Sequence, residues 1–427
     1  MERGAFGLLS ACFPHSDFRC AIEVYQTMRV GIFTESYPPL INGVSTSVQT
    51  LIASLERAGH ETFVFTSRYP RYADDRPHVY RYPSVNSLVE PDYVVPIPFS
   101  PRIALALPRL GLDIVHSHSP FFLGLVARRA ARALNLPHVA TNHTLDTEYA
   151  HYLPLPTVAA TRRMLVRWMH GFYNSCDQIL APSDLTRRVL TEDYGVRAPV
   201  AVVPTAIPAP PYVLARPDAT RQEFGLPPDA RTLLYVGRLA PEKNLDLLLR
   251  AFARVAESTS DTYLLLAGSG KSRAPLEARA RALGVHRRTR FAGFLPRTKL
   301  DPLYQAADVF LFPSKTETQG LAVGEALAAG LPCVVVNAGG APESVRDGVD
   351  GFLVPDLPDP MADRALEILR DPALRRRLSG EAKRGAASRT PEQVGGHVLA
   401  VYDALLAARR DSGARGGPSQ DAPRREG

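Results

Sequence analysis

The chain has 427 residues, 45% of them hydrophobic and 22% charged, which describes a globular protein of enzyme size and argues for two domains rather than one core. Its net charge of +7 permits an anionic partner such as a nucleotide, a phospholipid surface or nucleic acid, but selects none of them. Cys12, Cys20, Cys176 and Cys333 show no paired spacing and no nearby histidine cluster, which argues against a disulfide framework or zinc site and fits a reducing cytoplasm. No apolar run approaches the roughly 18 residues that a membrane span requires.

In chain order, residues 1–27 read as a disordered extension. Leu9-Ser10-Ala11-Cys12 has the outline of a lipoprotein cleavage box, but the apolar stretch before it is short and only Arg3 supplies positive charge. Met28 therefore reads as the functional start. The first half then alternates short β-branched runs with amphipathic stretches. Strands are expected at Val30–Phe33, Thr62–Thr66, Asp113–His116, His138–Thr141, Gln178–Ala181 and Val200–Val203. Helices are expected at Val48–Arg57, Leu123–Leu134 and Arg162–Tyr173. The proline-dense passage Pro204 to Pro217 looks like a linker. The second half restarts with Thr232–Val236, the helix Leu245–Glu257 and Tyr263–Ala267. Strands at Thr289–Phe291, Val309–Phe312, Cys333–Val336 and Gly351–Val354 follow. This pattern argues for α/β architecture: two doubly wound parallel-sheet domains, 28–207 and 208–392, with a cleft between them. A helix at Gln393–Arg409 is positioned to return to the first domain, and residues 411–427 are Gly/Pro/Arg/Asp-rich and expected to be disordered.

The chemistry concentrates at strand ends. Glu317 and Glu325 stand eight positions apart in a segment that reads as strand, loop and helix. Glu317 lies in the loop and Glu325 one to two turns into the helix, which is closed by Gly330. Both carboxylates can bear on one ligand at that helix N-terminus, where Gly320 would let a phosphate approach the free amides. An acidic helix start that merely favours the dipole explains Glu317 but not Glu325. Gly237-Arg238-Leu239-Ala240-Pro241-Glu242-Lys243-Asn244 follows the first strand of the second half. Arg238 offers a planar fork and Lys243 a compact charge, which together suit a diphosphate; a solvated basic loop with Asn244 as a cap is the bland reading. Gly43, in Asn42-Gly43-Val44-Ser45 after the chain's first strand, permits close backbone approach to a phosphate. Gly268-Ser269-Gly270 ends a strand in the second half, where it could accept a nucleoside, and either glycine site alone reads as a turn. His116 and His118 close one strand and His143 follows the next. His116 reads as structural, and His118 and His143 as lining the cleft. No third ligand completes a metal site, and no D-x-D is present to bridge a diphosphate through a metal.

Taken together, the E-x7-E spacing of Glu317 and Glu325, the G-R-L-x-x-E-K-N run from Gly237 to Asn244 and the glycine loop after the first strand resemble the retaining family-4 glycosyltransferases of GT-B fold. The resemblance covers roughly residues 28–410. Glu-Thr-Gln-Gly-Leu at 317–321, Thr-x-His-Thr at 141–144, Tyr149-Ala150-His151-Tyr152 and Val-Pro-Thr-Ala-Ile at 203–207 look most like bacterial diacylglycerol glucosyltransferases. Asn142 departs from the aromatic expected there, and other branches usually carry Phe at the position of Gln319 and Asn-Gly where Thr205-Ala206 stand.

The resemblance implies transfer of a hexose, glucose from UDP-glucose, to a lipid such as diacylglycerol, without a metal ion or other cofactor. A mannosyl- or galactosyltransferase acting on a lipid-linked or soluble glycan is the alternative. Arg238 and Lys243 would neutralise the departing diphosphate and the Gly43 amide would join them. Glu325 would bind the ribose hydroxyls and Glu317 the sugar hydroxyls, with the amides of Gly320 and Leu321 near phosphate or sugar. His143 would stabilise the oxocarbenium-like state, the kind of fixed electrostatic support that works best where water is excluded.

For the acceptor side, Arg162–His170 reads as an amphipathic helix with Leu165, Trp168, Met169 and Phe172 as its apolar stripe. Arg163, Arg167 and His170 fall on another face. These arginines, extended by Arg128, Arg129 and Arg132, form either a solvated surface or a face attracted to anionic lipid. The apolar, proline-rich segment from Tyr82 to Ile103 is a candidate lipid entrance, and attachment would be peripheral, at the inner face of the cell membrane. A dehydrogenase is disfavoured because no Gly-rich dinucleotide fingerprint follows either first strand. A nucleic-acid partner is disfavoured because no compact basic motif carries interleaved aromatics.

Overall fold

The structure is a computed structural model and describes residues 27–87, 93–145, 147, 157–207 and 216–415. The β-branched runs of the first half form β1 (Arg29–Phe33), β2 (Glu61–Ser67), β3 (Val79–Tyr82), β6 (Ile114–Ser117), β7 (His138–Thr141), β8 (Gln178–Ala181) and β9 (Val200–Val202), with a small antiparallel hairpin, β4 (Ser84–Asn86) and β5 (Val94–Pro96), beside them. The seven strands pair in parallel in the order β3-β2-β1-β6-β7-β8-β9. The second sheet comprises β10 (Arg231–Val236), β11 (Thr262–Ala267), β12 (Thr289–Gly293), β13 (Val309–Phe312), β14 (Cys333–Val336) and β15 (Gly351–Val354), ordered β12-β11-β10-β13-β14-β15 and parallel throughout. Strands buried on both faces need continuous apolar runs, which β10 and β13 supply: Leu233, Leu234, Phe310 and Leu311 are all fully buried.

Three strands of the first half were not anticipated: β3 and the two of the hairpin. β3 carries Tyr80 and Arg81 at half-buried positions, so an edge strand here lacks the alternating signature. The hairpin falls inside the proline-rich stretch that had been assigned to a lipid entrance.

The final helix, Pro391–Arg415, is longer at both ends than the expected Gln393–Arg409. Residues 411–415, assigned to a disordered tail, therefore belong to it, since Asp411 and Ser412 do not break a helix and no proline stands between Pro391 and Pro418. It lies on the first half: Val398 and Tyr402 join Val30, Ile32, Val48 and Ile114 in one cluster, and the Ser54 hydroxyl donates to the Pro391 carbonyl at 2.9 Å. The two crossings between halves touch where the Ile207 amide donates to the Arg389 carbonyl at 3.0 Å. The extension before residue 27, Tyr149–Tyr152, and the central part of the linker, 208–215, lie outside the described residues.

Candidate active site

In a doubly wound sheet the ligand crevice opens where neighbouring strands run off to opposite sides, beyond their carboxyl ends. The first sheet has that point between β1 and β6, and the second between β10 and β13. Gly43 follows β1 and His118 follows β6, with His143 after the adjoining β7; Arg238 and Lys243 follow β10 and Glu317 follows β13. Arg238, Lys243, Glu317, His118 and His143 thus stand on connections leaving strands at or beside a switch point, while Gly43, Gly320 and Leu321 mark the starts of the helices that follow and Glu325 lies inside the second of them.

The two halves meet at this edge. The helix Gly43–Arg57 begins at Gly43 and the helix Leu321–Ala328 begins at Leu321. A Cβ placed on Gly43 would lie 3.3 Å from the Leu321 Cδ1, so the two helix N-termini face each other. Neither has an acidic residue in its first turn, which leaves both positive dipole ends available to an anion. Gly320 is needed for the approach. Its φ is 74°, and a Cβ there would come within 2.8 Å of the Ala341 Cβ.

On the second half, Lys243 and Glu317 are joined directly. The ammonium lies 2.6 Å from the Glu317 Oε1, with side chains 11% and 19% exposed, and the Ser314 hydroxyl donates to the same oxygen at 2.8 Å. Arg238 is turned onto Glu242 at 2.5 Å. The loop beneath it requires Gly268, where a Cβ would fall 1.8 Å from the Gly237 carbonyl oxygen; Leu239 donates to the Ser269 carbonyl at 2.8 Å. Gly268 therefore supports the arginine loop by close packing. Asn244 does not act as the side-chain cap that the bland reading of this loop gave it. It is left-handed, at φ 56°, and its amide donates to the Pro313 carbonyl at 3.2 Å and to Asp356 at 2.7 Å.

Glu325 has partners of its own. Its Oε2 accepts from the Tyr304 hydroxyl at 2.8 Å and its Oε1 from Arg297. Burial, and then the Glu325 charge, push the Tyr304 hydroxyl well above its ordinary value, so it remains a donor. Sequence spacing gave no hint of Arg297 or Tyr304, because nothing in the chain's periodicity links them to a residue more than twenty positions later.

On the first half, His118 Nδ1 and His143 Nε2 are 2.9 Å apart. His116 is held at both nitrogens, 2.5 Å from the Tyr402 hydroxyl and 2.7 Å from the Thr141 hydroxyl. Burial pushes the His143 imidazole down to about 4. His118 is held well below its usual range by burial and by its neighbours His116 and His143. All are neutral hydrogen-bonding groups near pH 7. Among the described residues, His118 Nε2 is buried with no hydrogen-bond partner. His118 and His143 line a cavity with Ser47, Thr205, Ala206 and Val394. Asn142 is buried, its amide donating to the Tyr173 hydroxyl at 2.8 Å.

Two family descriptions cover most of the chain: Glycosyltransferase Family 4 matches residues 41–209 and Glycosyl transferases group 1 matches residues 217–385. The chain belongs to the retaining family-4 glycosyltransferases. It is 33% identical over 319 residues to an alpha-monoglucosyldiacylglycerol synthase of Streptococcus pneumoniae, covering 72% of this chain and 70% of that one. Over 398 residues it is 31% identical to a GDP-mannose-dependent alpha-mannosyltransferase of Mycolicibacterium smegmatis, covering 90% and 99%. Sucrose-phosphate synthase of Thermosynechococcus elongatus superposes with a TM-score of 0.73 at 22% identity, over 90% of this chain and 100% of that one, and the shared fold is GT-B. This glycosyltransferase is a hexosyltransferase that uses a nucleotide-sugar donor and an acceptor, and its family generally acts without a metal ion. Among the described residues no helix is long and apolar enough to cross a membrane.

Proposed function

We propose that the chain transfers glucose from UDP-glucose to a membrane lipid such as diacylglycerol, working as a peripheral enzyme at the cytoplasmic face of the cell membrane. In this reading the donor diphosphate lies between the facing helix N-termini, against the amides of Gly43, Gly320 and Leu321, with Arg238 and Lys243 as fixed cations. Glu325, oriented by Tyr304 and Arg297, takes the ribose hydroxyls, and Glu317 takes the sugar hydroxyls. His143 supports the oxocarbenium-like state, and the buried, unpartnered His118 Nε2 suits a hydroxyl of sugar or acceptor. Charge that develops on the leaving phosphate meets preorganised cations and amide dipoles.

One observation carries the lipid acceptor. Among the described residues, every exposed large hydrophobic side chain except Phe294 and Leu357 belongs to the first half. Val85, Ile97, Phe99 and Leu105 come from the hairpin region and the short helix after it; Phe122, Val158, Met164 and Trp168 come from the helices beyond β6. Trp168, read from the sequence as part of its helix's apolar stripe, is 40% exposed. Thr161, Leu165, Met169, Phe172 and Tyr173 make the buried face instead. The Trp168 indole donates to the Pro120 carbonyl at 3.0 Å, two residues beyond His118, and Arg163 and Arg167 are exposed on the same helix. A half-exposed indole among apolar side chains and arginines suits a membrane interface. The similarity to an alpha-monoglucosyldiacylglycerol synthase points the same way.

A second reading, mannose from GDP-mannose to a glycan, is favoured by the alpha-mannosyltransferase relative, which matches over nearly its full length. The deciding assay offers UDP-glucose, UDP-galactose and GDP-mannose, each with and without diacylglycerol in anionic vesicles, with EDTA present. Lipid-dependent product from UDP-glucose is expected. Product only from GDP-mannose, or only on a soluble sugar, overturns the lipid glucosyltransferase.

A further inference from the structure

The two halves are tied together at Thr318 and Gln319, which directly follow Glu317. Glu317 holds Lys243. The Thr318 hydroxyl donates to the His143 carbonyl at 3.0 Å, and the Thr318 carbonyl accepts from the Thr186 hydroxyl at 3.4 Å. The buried Gln319 reaches the linker: its Oε1 accepts from the Thr205 amide at 2.8 Å, and its Nε2 donates to the Thr205 carbonyl at 3.4 Å. The root of this side chain is itself fixed, because the Ser344 hydroxyl donates to the Gln319 carbonyl at 3.2 Å and the Gly340 amide to the Glu317 carbonyl at 2.7 Å. Thr205 in turn is part of the wall of the cavity that holds His118 and His143.

We propose that Gln319 is a positioning residue for sugar transfer: its carboxamide pairs with both backbone groups of Thr205 and so sets the offset between the linker wall of the histidine cavity and the Lys243–Glu317 pair. The requirement is chemical. Only a side chain that carries one donor and one acceptor on a two-methylene stem can satisfy an amide N–H and a carbonyl of the same residue. An apolar side chain of equal length fills the space and leaves both backbone groups unpaired; a carboxylate accepts the N–H but sets its second oxygen against the Thr205 carbonyl. Because the Gln319 carboxamide makes its hydrogen bonds to Thr205 and not to Lys243 or to the amides at the helix N-termini, it governs alignment across the cleft rather than the hold on the nucleotide. An offset of a fraction of an ångström between reacting groups is enough to slow a transfer step without loosening its ligands. The proposal rests on the cleft being the site of transfer, as set out above, and holds for either acceptor class.

The test compares Q319M and Q319E with the wild-type chain, reading kcat and donor KM for transfer, donor hydrolysis, and UDP affinity by calorimetry. Q319M should lose about tenfold in kcat while UDP affinity and donor KM stay within about twofold, and the ratio of hydrolysis to transfer should rise. Q319E adds a titration. In its protonated form a carboxyl donates to the Thr205 carbonyl and accepts from the Thr205 amide, as the carboxamide does, so its kcat relative to wild type should climb as pH falls from about 8 to about 6. Wild-type kcat in Q319M overturns the proposal, as does a loss carried equally by UDP binding. If Q319M does not fold, a flat Q319E-to-wild-type ratio across that range overturns it instead. A wild-type chain active only on a soluble acceptor, or only with GDP-mannose, sinks the lipid glucosyltransferase alone, since the same ratios are then read on that substrate with the matching nucleoside diphosphate.

Discussion

Charge at the carboxyl edge of the second sheet is held in pairs: Lys243 on Glu317, Arg238 on Glu242, Arg297 on Glu325 and Lys315 on Asp356. The matching edge of the first sheet has three histidines, Thr141 and Asn142, and burial keeps the histidines neutral. The same doubly wound plan thus ends in two kinds of surface. Ion pairs hold cations in place beforehand, where they can meet a leaving phosphate without reorganising. Neutral imidazoles and hydroxyls can meet a sugar or an acceptor hydroxyl without the desolvation cost that a charge would add. The two edges thus differ in charge, paired ions on one and neutral imidazoles and hydroxyls on the other, and the proposed split of donor and acceptor chemistry follows that difference.

The largest expected effect breaks the charged edge. Glu317→Gln and Lys243→Ala should each lower kcat about a hundredfold or more with the fold intact. Because the two side chains are bonded to each other, the double variant should be scarcely worse than the poorer single one. Near-normal turnover in either single variant would remove the pair from the site.

Acid should act next on the buried histidines of the first half, one of which stands at the opposite, amino end of β7. His138, 2% exposed, is held down to about 4 by burial, from an ordinary 6.5. The unfolded chain takes up a proton near 6.5 while the folded one stays neutral to about 4, so stability is full above the upper value and lost as pH falls through that window. For this one residue the loss amounts to about 3 kcal/mol, and His116, His118 and His143 shift in the same direction. Chemical denaturation at stepped pH reads it, and His138→Gln should flatten the slope. A stability profile level from about pH 6.5 to 4 would contradict the buried, neutral state.

Smaller effects sharpen the boundary between the halves. Glu325→Ala should weaken UDP binding about tenfold, and Tyr304→Phe about fivefold through the loss of one hydrogen bond to a charged acceptor. Calorimetry with UDP measures both, and unchanged affinity in Glu325→Ala would take that residue away from the ribose. Replacing Arg163 and Arg167 with alanine should cut sedimentation with anionic vesicles at about 1 kcal/mol per charge. Equal sedimentation would make those arginines an ordinary solvated surface.

Much of this was legible in the sequence because buried parallel strands need unbroken apolar runs, and because doubly wound sheets place chemistry on loops that can be counted from those runs. Val309–Phe312 and Glu317 are one such case, and His138–Thr141 and His143 another. The contacts that orient the site were not legible. Tyr304 and Arg297 reach Glu325, and Gln319 reaches Thr205, across distances in the chain that no local period encodes. Trp168 fits the spacing of its helix's apolar stripe, yet three-dimensional packing leaves it at the rim. Asn244 has a capping residue's chemistry, but a left-handed backbone directs its side chain to Pro313 and Asp356.

The long last helix carries a consequence for how the molecule is made. Val398 and Tyr402 complete the cluster around Val30 and Ile32, so the portion that leaves the ribosome first is still short of part of its interior when Ile207 emerges. At about 5–20 residues per second, synthesis takes roughly ten to forty seconds more to reach Tyr402. Meanwhile the second half can close over a core drawn from its own stretch of chain. The half begun first is therefore the half finished last, and a ribosome stalled before Tyr402 would display a folded second half beside a first half still missing one wall.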